Sequence, residues 1–199
     1  MSRIPLLLLL LALAGCAAWR KPPLPAAGEA ERRWRSGLIE RPWQLQGRIG
    51  VSGGRDSWHG HLRWEHGQGL DRLVLSGPFG QGGVVVEVGS GWIRLRYPDG
   101  RILESAEPDR LLRQVLGVVV PLAALRYWVL GLTAPGPAAV EHDLAGRLQR
   151  LRQQGWEVGY LAYGAVAAGA LPTKLQLLGP DGVRVKLLID RWEIDRDRT

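Results

Sequence analysis

The sequence predicts a mainly β protein, one closed or nearly closed antiparallel sheet of roughly ten strands interrupted by two short helices. Three observations predict it. After Pro42 apolar and polar residues alternate with period two over most of the chain, the mark of strands that are wet on one side. Short turn formers such as Gly77-Pro78, Gly89-Ser90-Gly91 and Pro98-Asp99-Gly100 separate the alternating runs, and connections this short join antiparallel neighbours. One stretch, about residues 108–131, changes instead to helical spacing.

The chain opens Met1-Ser2-Arg3 and runs apolar from Leu6 to Leu13 before Ala14, Gly15 and Cys16. A basic start, a short apolar run and small residues at a cleavage point are the layout of a signal peptide, here residues 1–15. The run is shorter than the about 20 residues that a helix needs to cross hydrocarbon. Leu13-Ala14-Gly15-Cys16 looks like a bacterial lipobox, which makes Cys16 the expected lipidation site and first residue of the mature chain. Two or more acyl chains there give lasting attachment, at about 0.8 kcal/mol per buried CH₂. Ala17 follows. By resemblance to the sorting code of Gram-negative lipoproteins, Asp in that place would favour the inner membrane, so Ala17 points to the inner leaflet of the outer membrane, with the domain facing the periplasm. The sequence has a single cysteine, so no disulfide forms within the chain and the fold must rest on its hydrophobic core.

There are 26 Lys+Arg against 19 Asp+Glu, a net charge of +7. Removing residues 1–15 takes only Arg3 and leaves 25 − 19 = +6. This balance suits anionic lipid or acidic partners. Nucleic acid is not expected, since no helix-turn-helix, zinc-finger or RNA-binding signature accompanies the scattered arginines.

Residues 16–28 form a Pro/Ala-rich linker, in which Pro22-Pro23-Leu24-Pro25 cannot continue a helix. A single domain, residues 29–199, begins with a short charged helix over about Glu29–Leu38. Its Arg32, Arg33 and Arg35, beside Trp34, are read as a solvated face in preference to a lipid-headgroup patch. The first strand places Trp43, Leu45, Gly47, Ile49 and Val51 on one face, and the second places Trp58, Gly60, Leu62 and Trp64 opposite His59, His61, Arg63 and Glu65. Further strands are expected at Leu70–Ser76, Gly83–Val88, Trp92–Tyr97 and Arg101–Glu104. Pro108 starts a helix with Leu111, Leu112, Val115 and Leu116 at helical spacing, and Gly117 ends it. Pro121 starts a second, with Leu122, Leu125, Trp128 and Val129 as its stripe and Gly131 at its stop. Strands then resume at Leu144–Arg152, Trp156–Tyr163, Lys174–Leu178 and Val183–Trp192, the last two turning at Gly179-Pro180-Asp181-Gly182. The two helices are placed to cover one face of the sheet.

Chemistry is sparse. No nucleophile elbow, phosphate-cradling Gly loop, His-Glu-x-x-His or paired Cys occurs, so a hydrolase is a weak rival and no cofactor is expected. His59, His61 and Glu65 share a strand face and could in principle reach a metal, but Arg63 on that face would repel a cation, and exposed strand histidines are the commoner case. His66 near the strand end and His142 in a loop complete no set. The aromatic inventory is unusual, with nine Trp, four Tyr and one Phe. Bulky rings fill cores, yet a curled sheet also encloses space that can hold a small ligand; the sequence leaves packed and hollow interiors both open. That single Phe79 sits in Gly77-Pro78-Phe79-Gly80 between two strands, where turn chemistry pushes it outward and an exposed aromatic suggests contact with a partner or membrane; the alternative is that it folds back over the sheet edge.

Taken in order, Gly47-Arg48, the Trp58 and Trp64 strand, Pro78-Phe79-Gly80, then Gly117, Pro121, Leu125, Trp128 and Gly131, then Gln154-Gly155-Trp156 with Val158 and Tyr160, then Pro172, Lys186-Leu187 and Trp192, resemble the LolB family of outer-membrane lipoprotein receptors. The resemblance implies an incomplete antiparallel β-barrel of the LolA/LolB kind, with a helical lid over an apolar cavity. It implies a monomer that accepts lipoproteins from the periplasmic carrier LolA, binds their acyl chains and delivers them to outer-membrane phospholipid. The expected cavity and lid residues are Ile49, Trp64, Leu75, Leu112, Leu116, Leu125, Trp128, Trp156 and Leu187. Pro78, Phe79 and Gly80 match a loop whose protruding Leu serves membrane insertion in the family, and Phe79 departs from it in identity but not in apolar character. The alternative is a structural or assembly lipoprotein with a packed core.

Overall fold

A computed structural model of the chain describes residues 26–53, 56–78, 83–116, 121–166 and 169–194. Helix α1 (Ala26–Gly37) precedes strands β1 (Trp43–Gly53), β2 (Asp56–Gly67), β3 (Leu70–Ser76), β4 (Val84–Gly89), β5 (Trp92–Arg96) and β6 (Ile102–Ser105). Helices α2 (Pro108–Leu116) and α3 (Leu122–Val129) follow, and then β7 (Ala139–His142), β8 (Leu148–Gln153), β9 (Trp156–Val166), β10 (Gly169–Leu178) and β11 (Arg184–Ile194). The strands form one sheet of eleven in the order β6-β5-β4-β3-β2-β1-β11-β10-β9-β8-β7. Every neighbouring pair is antiparallel.

This order explains the barrel's incompleteness. Two meanders are joined where the first strand pairs with the last, and β6 and β7 are left as the two edges. Helices α2 and α3 occupy the connection between those edges, with α2 against β5 and β6 and α3 reaching β10. A hydrogen-bonded pair would seal a barrel here; instead a helical segment carries the chain across.

Alternation sets the two faces. Opposite residues in an antiparallel pair share a face, so the pairs Leu45–Trp64, Leu62–Leu75, Leu73–Val86 and Val86–Leu95 carry one apolar row from β1 to β5. The pairs Ile49–Leu187, Leu187–Leu175, Leu175–Tyr160 and Val158–Leu151 continue the face to β8. The outer face carries a charge ladder, Glu65–Arg72, Arg72–Glu87, Glu87–Arg94 and Arg94–Glu104, at 2.7–3.8 Å. Exposed pairs of this kind are each worth at most about 1 kcal/mol, so their chief effect is to keep that face wet. One glycine is sterically demanded: a Cβ on Gly47 would lie 2.1 Å from the Leu188 carbonyl oxygen, at the register shift where β11 crosses β1.

The structure moves several boundaries. It adds β7, a four-residue edge strand that the sequence reading left as loop around His142. The expected strand from Leu144 begins only at Leu148, because the Asp143 carboxylate accepts the N–H groups of Ala145 and Arg147 and closes a turn there. Strand β10 starts at Gly169, five residues before the expected Lys174, and runs through Pro172. A proline lacks the ladder donor, and the ladder slips beside it between Pro172 and Lys174. The arginines of α1 also divide: Arg32 and Arg33 are solvated as expected, but Arg35 is buried, because the helix turns it toward β9.

Candidate functional site

The inner face is apolar apart from His66, Asp71 and Gln153, but it is not uniformly covered. Trp43, Leu45, Trp64, Leu73, Ile93, Leu95, Leu175 and Leu187 are buried in one cluster with Leu111 and Leu112 of α2 and Trp128 and Val129 of α3. Toward the end of the sheet that holds the β1–β2 and β3–β4 turns, cover thins. Ile49, Val51, Leu75, Val84 and Val185 are half-buried there, and Trp58, opposite Val51, is 40% exposed. These side chains form a partly exposed apolar margin to the packed interior. Pro78 is exposed at the same end.

The roof is anchored by polar contacts that the apolar pattern does not reveal. Gln153 at the end of β8 is buried; its Oε1 accepts from Trp128 Nε1 and from the Ala134 N–H, both at 3.0 Å, and its Nε2 donates to the Ala134 carbonyl at 2.7 Å. Tyr160 donates its hydroxyl to the Trp128 carbonyl at 3.0 Å. Helix α3 then stops where Gly131 adopts φ 72°, the left-handed turn after a helix that glycine supplies cheaply. On the other side, Asp71 of β3 accepts from Trp64 Nε1 at 2.9 Å, from His66 Nδ1 at 2.7 Å and from Arg126 of α3, whose Nε lies at 3.0 Å. His66 Nε2 faces the Ile39 carbonyl at 2.8 Å. Burial works against ionisation of Asp71, but the bonds from His66 and Trp64 and the Arg126 charge outweigh it and hold its carboxyl below the usual range. Burial pushes the Tyr160 and Tyr163 phenols up.

The nine expected cavity and lid residues fall into three groups. Trp64, Leu112, Trp128, Trp156 and Leu187 are buried, Ile49, Leu75 and Leu125 are half-buried, and the side chain of Leu116 lies outside the described residues, as do Cys16, Phe79 and Gly80. Trp156 is packed against Trp128, with ring centroids 6.4 Å apart. Two of the cavities among the described residues lie elsewhere. One, of about 550 Å³, lies between α1, α3 and the β7–β8 hairpin. The other, of about 630 Å³, is a shallow groove beside Trp156, Arg152 and Gly179. Neither is lined by Trp64, Leu75 or Leu187. Trp64, Leu112, Trp128 and Leu187 are all buried, so the roof is down on the interior, and half-buried apolar side chains remain at its margin.

Among the described residues, no group of three or more His, Cys, Asp and Glu side chains is placed to hold a metal ion. Glu65 is drawn instead to Arg63, at 2.7 Å, and to Arg72. Sequence reasoning missed Asp71, His66, Arg126, Gln153 and the burial of Arg35. The only local signal was a polar residue on an apolar face, Asp71 and His66 both standing in inward register.

Comparison with known proteins agrees with this architecture. The chain is 36% identical to the outer-membrane lipoprotein LolB of Nitrosococcus oceani over 194 residues, covering 95% of this chain and 96% of the relative. It is 34% identical to the outer-membrane lipoprotein LolB of Thiobacillus denitrificans over 183 residues, 92% of each chain. Among solved structures, a LolA superfamily protein from Nitrosomonas europaea superposes with a TM-score of 0.52 at 13% identity, covering 88% of this chain and 96% of that one, which speaks for the fold alone. Residues 41–192, from the residue before Pro42 to Trp192 on β11, match the family described as outer membrane lipoprotein LolB, and the chain belongs to that family.

Proposed function

We propose that the protein receives lipoproteins from the periplasmic carrier LolA, shelters their acyl chains on its inner sheet face and releases them into the inner leaflet of the outer membrane. In this reading residues 1–15 are removed, acylated Cys16 anchors the chain through a linker that is shorter than the expected 16–28 because α1 already begins at Ala26, and the domain works as a monomer. The observation that carries it is the half-buried apolar row of Ile49, Val51, Leu75, Val84 and Val185 with exposed Trp58, beside a roof that is a separate helical segment.

Energetics make admission feasible. Freeing α2 and α3 exposes Leu111, Leu112, Trp128 and Val129, at about 1.5–3 kcal/mol each, and releasing the bonds of Arg126 and Trp128 adds about 3 kcal/mol apiece. Acyl chains bring tens of CH₂ groups worth about 0.8 kcal/mol apiece, so cargo returns more than opening costs. No bond chemistry is needed if affinity rises from carrier to receptor to membrane. Chains would slide past Ile49 and Leu75 toward Trp64 and Leu187 as α2 and α3, through Leu112, Leu116, Leu125 and Trp128, move off, with Trp156 bracing Trp128. Phe79, flanked in the sequence by Pro78 and Gly80, would enter phospholipid and favour release.

The test is transfer of a radiolabelled lipoprotein from its carrier to the purified protein, and then to liposomes. Phe79→Glu is expected to accept cargo and fail to deliver it. Delivery at the wild-type rate would overturn the role of the loop, and absence of any transfer to the wild type would overturn the receptor reading.

A further inference from the structure

We propose that α1, α3 and the β7–β8 hairpin enclose a binding site for a phosphate group, with Arg35 as its buried cation. Arg35 is 1% exposed, and its Nε and Nη1 have no hydrogen-bond partner. Its guanidinium lies 5.7 Å from the Tyr163 ring centroid, and the guanidinium of Arg147 approaches the same ring at 4.8 Å. Two neighbouring carboxylates are committed elsewhere. Glu31, one turn earlier, accepts from the Ala170 N–H at 2.7 Å, and Asp143 holds Arg147 at 2.8 Å. Buried charges are paired in folded proteins because an uncompensated one is costly, so a cation in this state calls for an anion from outside.

Space for one exists. Arg35 lines the cavity of about 550 Å³, together with Arg32, Ser36, Thr133 and Tyr127. A water occupies about 30 Å³ of liquid, so the cavity has room for an ion larger than a solvent molecule. Two arginines one turn apart and the hydroxyls of Thr133 and Tyr127 favour a multiply charged tetrahedral oxyanion, the Ser36 hydroxyl being spent on the Arg32 carbonyl at 3.0 Å, and the arginine fork matches phosphate geometry. Glu40 is the acidic side chain in the lining and stands exposed, where it lowers affinity without reaching the ideal place of a counter-ion. Ile39, Leu132 and Leu148 complete an apolar wall, which suits a phosphate carried on an amphipathic molecule.

Two sources carry this group, free phosphate and a phospholipid headgroup. The linker from Cys16 to Pro25 extends to at most about 35 Å, which keeps α1 within reach of the bilayer. That second source rests on the acylation of Cys16 in the function proposed above; phosphate binding itself does not.

The site is tested by calorimetric titration of the mature acylated protein in detergent, first with inorganic phosphate and then with dihexanoylphosphatidylglycerol below its micellar concentration. Saturable binding of phosphate is expected, weakened at least tenfold by Arg35→Gln and strengthened by Glu40→Gln. Tighter binding of the short-chain lipid assigns the site to a headgroup, and equal or weaker binding assigns it to free phosphate. Thermal melting keeps the result independent of how well Arg35→Gln folds: phosphate should raise the Tm of the wild type but not of Arg35→Met, and Arg35→Met should melt above the wild type when phosphate is absent. Failure of both ligands to saturate, unchanged affinity in Arg35→Gln, or a lower phosphate-free Tm for Arg35→Met would each overturn the proposal. Lipoprotein transfer is scored in parallel. Lost transfer with intact phosphate binding counts against the receptor reading alone, and the converse against this site alone.

Discussion

Arg126 of α3 and Asp71 of β3 form an ion pair that fastens the helical roof to the sheet, with the Asp71 side chain 5% exposed. The same carboxylate takes bonds from Trp64 and His66, and His66 reaches on to the Ile39 carbonyl in the α1–β1 connection. One buried acid thus ties together the roof, two strands and the chain that follows α1. Removing it leaves three donors facing an apolar interior.

Asp71→Ala is therefore expected to destabilise the domain by about 3 kcal/mol, the scale for leaving one member of a buried pair alone. Urea unfolding followed by tryptophan fluorescence measures this. A loss under about 1 kcal/mol would mean that the pair does not fasten the roof.

The pH dependence has a definite sign. Because the folded-state carboxyl of Asp71 titrates below its ordinary value, its contribution is fully present above about pH 3.9, the usual Asp value, and is lost as pH falls through the lowered one. Wild-type stability should fall on that acid limb, and Asp71→Asn should flatten it while lowering stability at pH 7. Equal acid limbs in the two proteins would remove Asp71 as the cause.

Gln153→Leu should cost about 3 kcal/mol or more, since it orphans Trp128 Nε1 and both backbone groups of Ala134, each at about 1–3 kcal/mol when buried and unsatisfied. The thermal midpoint should drop, and hydrogen exchange in α3 should speed up more than exchange in β1 and β11.

Gly47→Ala tests the β1–β11 crossing. Its Cβ would meet backbone 2.1 Å away, which no side-chain adjustment relieves, so a loss of about 1–3 kcal/mol is expected from overpacking. Gly37→Ala, where a Cβ meets nothing within 4 Å, is the control and should be near neutral by denaturant midpoint.

Trp58→Ser separates function from stability. Because Trp58 is 40% exposed, its removal should shift the thermal midpoint little while weakening capture of a fluorescent acyl probe several-fold. Unchanged capture would place the acyl site elsewhere.

The strands, their faces and their turns were legible in the sequence, because period-two alternation and turn chemistry are local properties of a few successive residues. The two helices of the roof were equally legible from Pro108, Pro121 and the apolar stripes between and after them. The resemblance in Pro78-Phe79-Gly80 and the Trp-bearing strands reached the right family. Short β7 and the start of β10 were not legible. An exposed four-residue edge carries no period, and Pro172 reads as a strand breaker until the register slip beside it is seen.

What the sequence by itself determined is which side of most strands is apolar, and with it the sheet class and the helical interruption. Only the tertiary structure decided which polar residues go inside. Alternation says that Asp71 and His66 face inward, but not that Arg126, some 55 positions later, will meet them. Likewise helical spacing leaves the three arginines of α1 alike, until β9 and the β7–β8 hairpin close over Arg35 and not over its neighbours. The reason is physical: local pattern fixes the direction of a side chain, whereas burial and charge pairing depend on what the rest of the chain brings to that place.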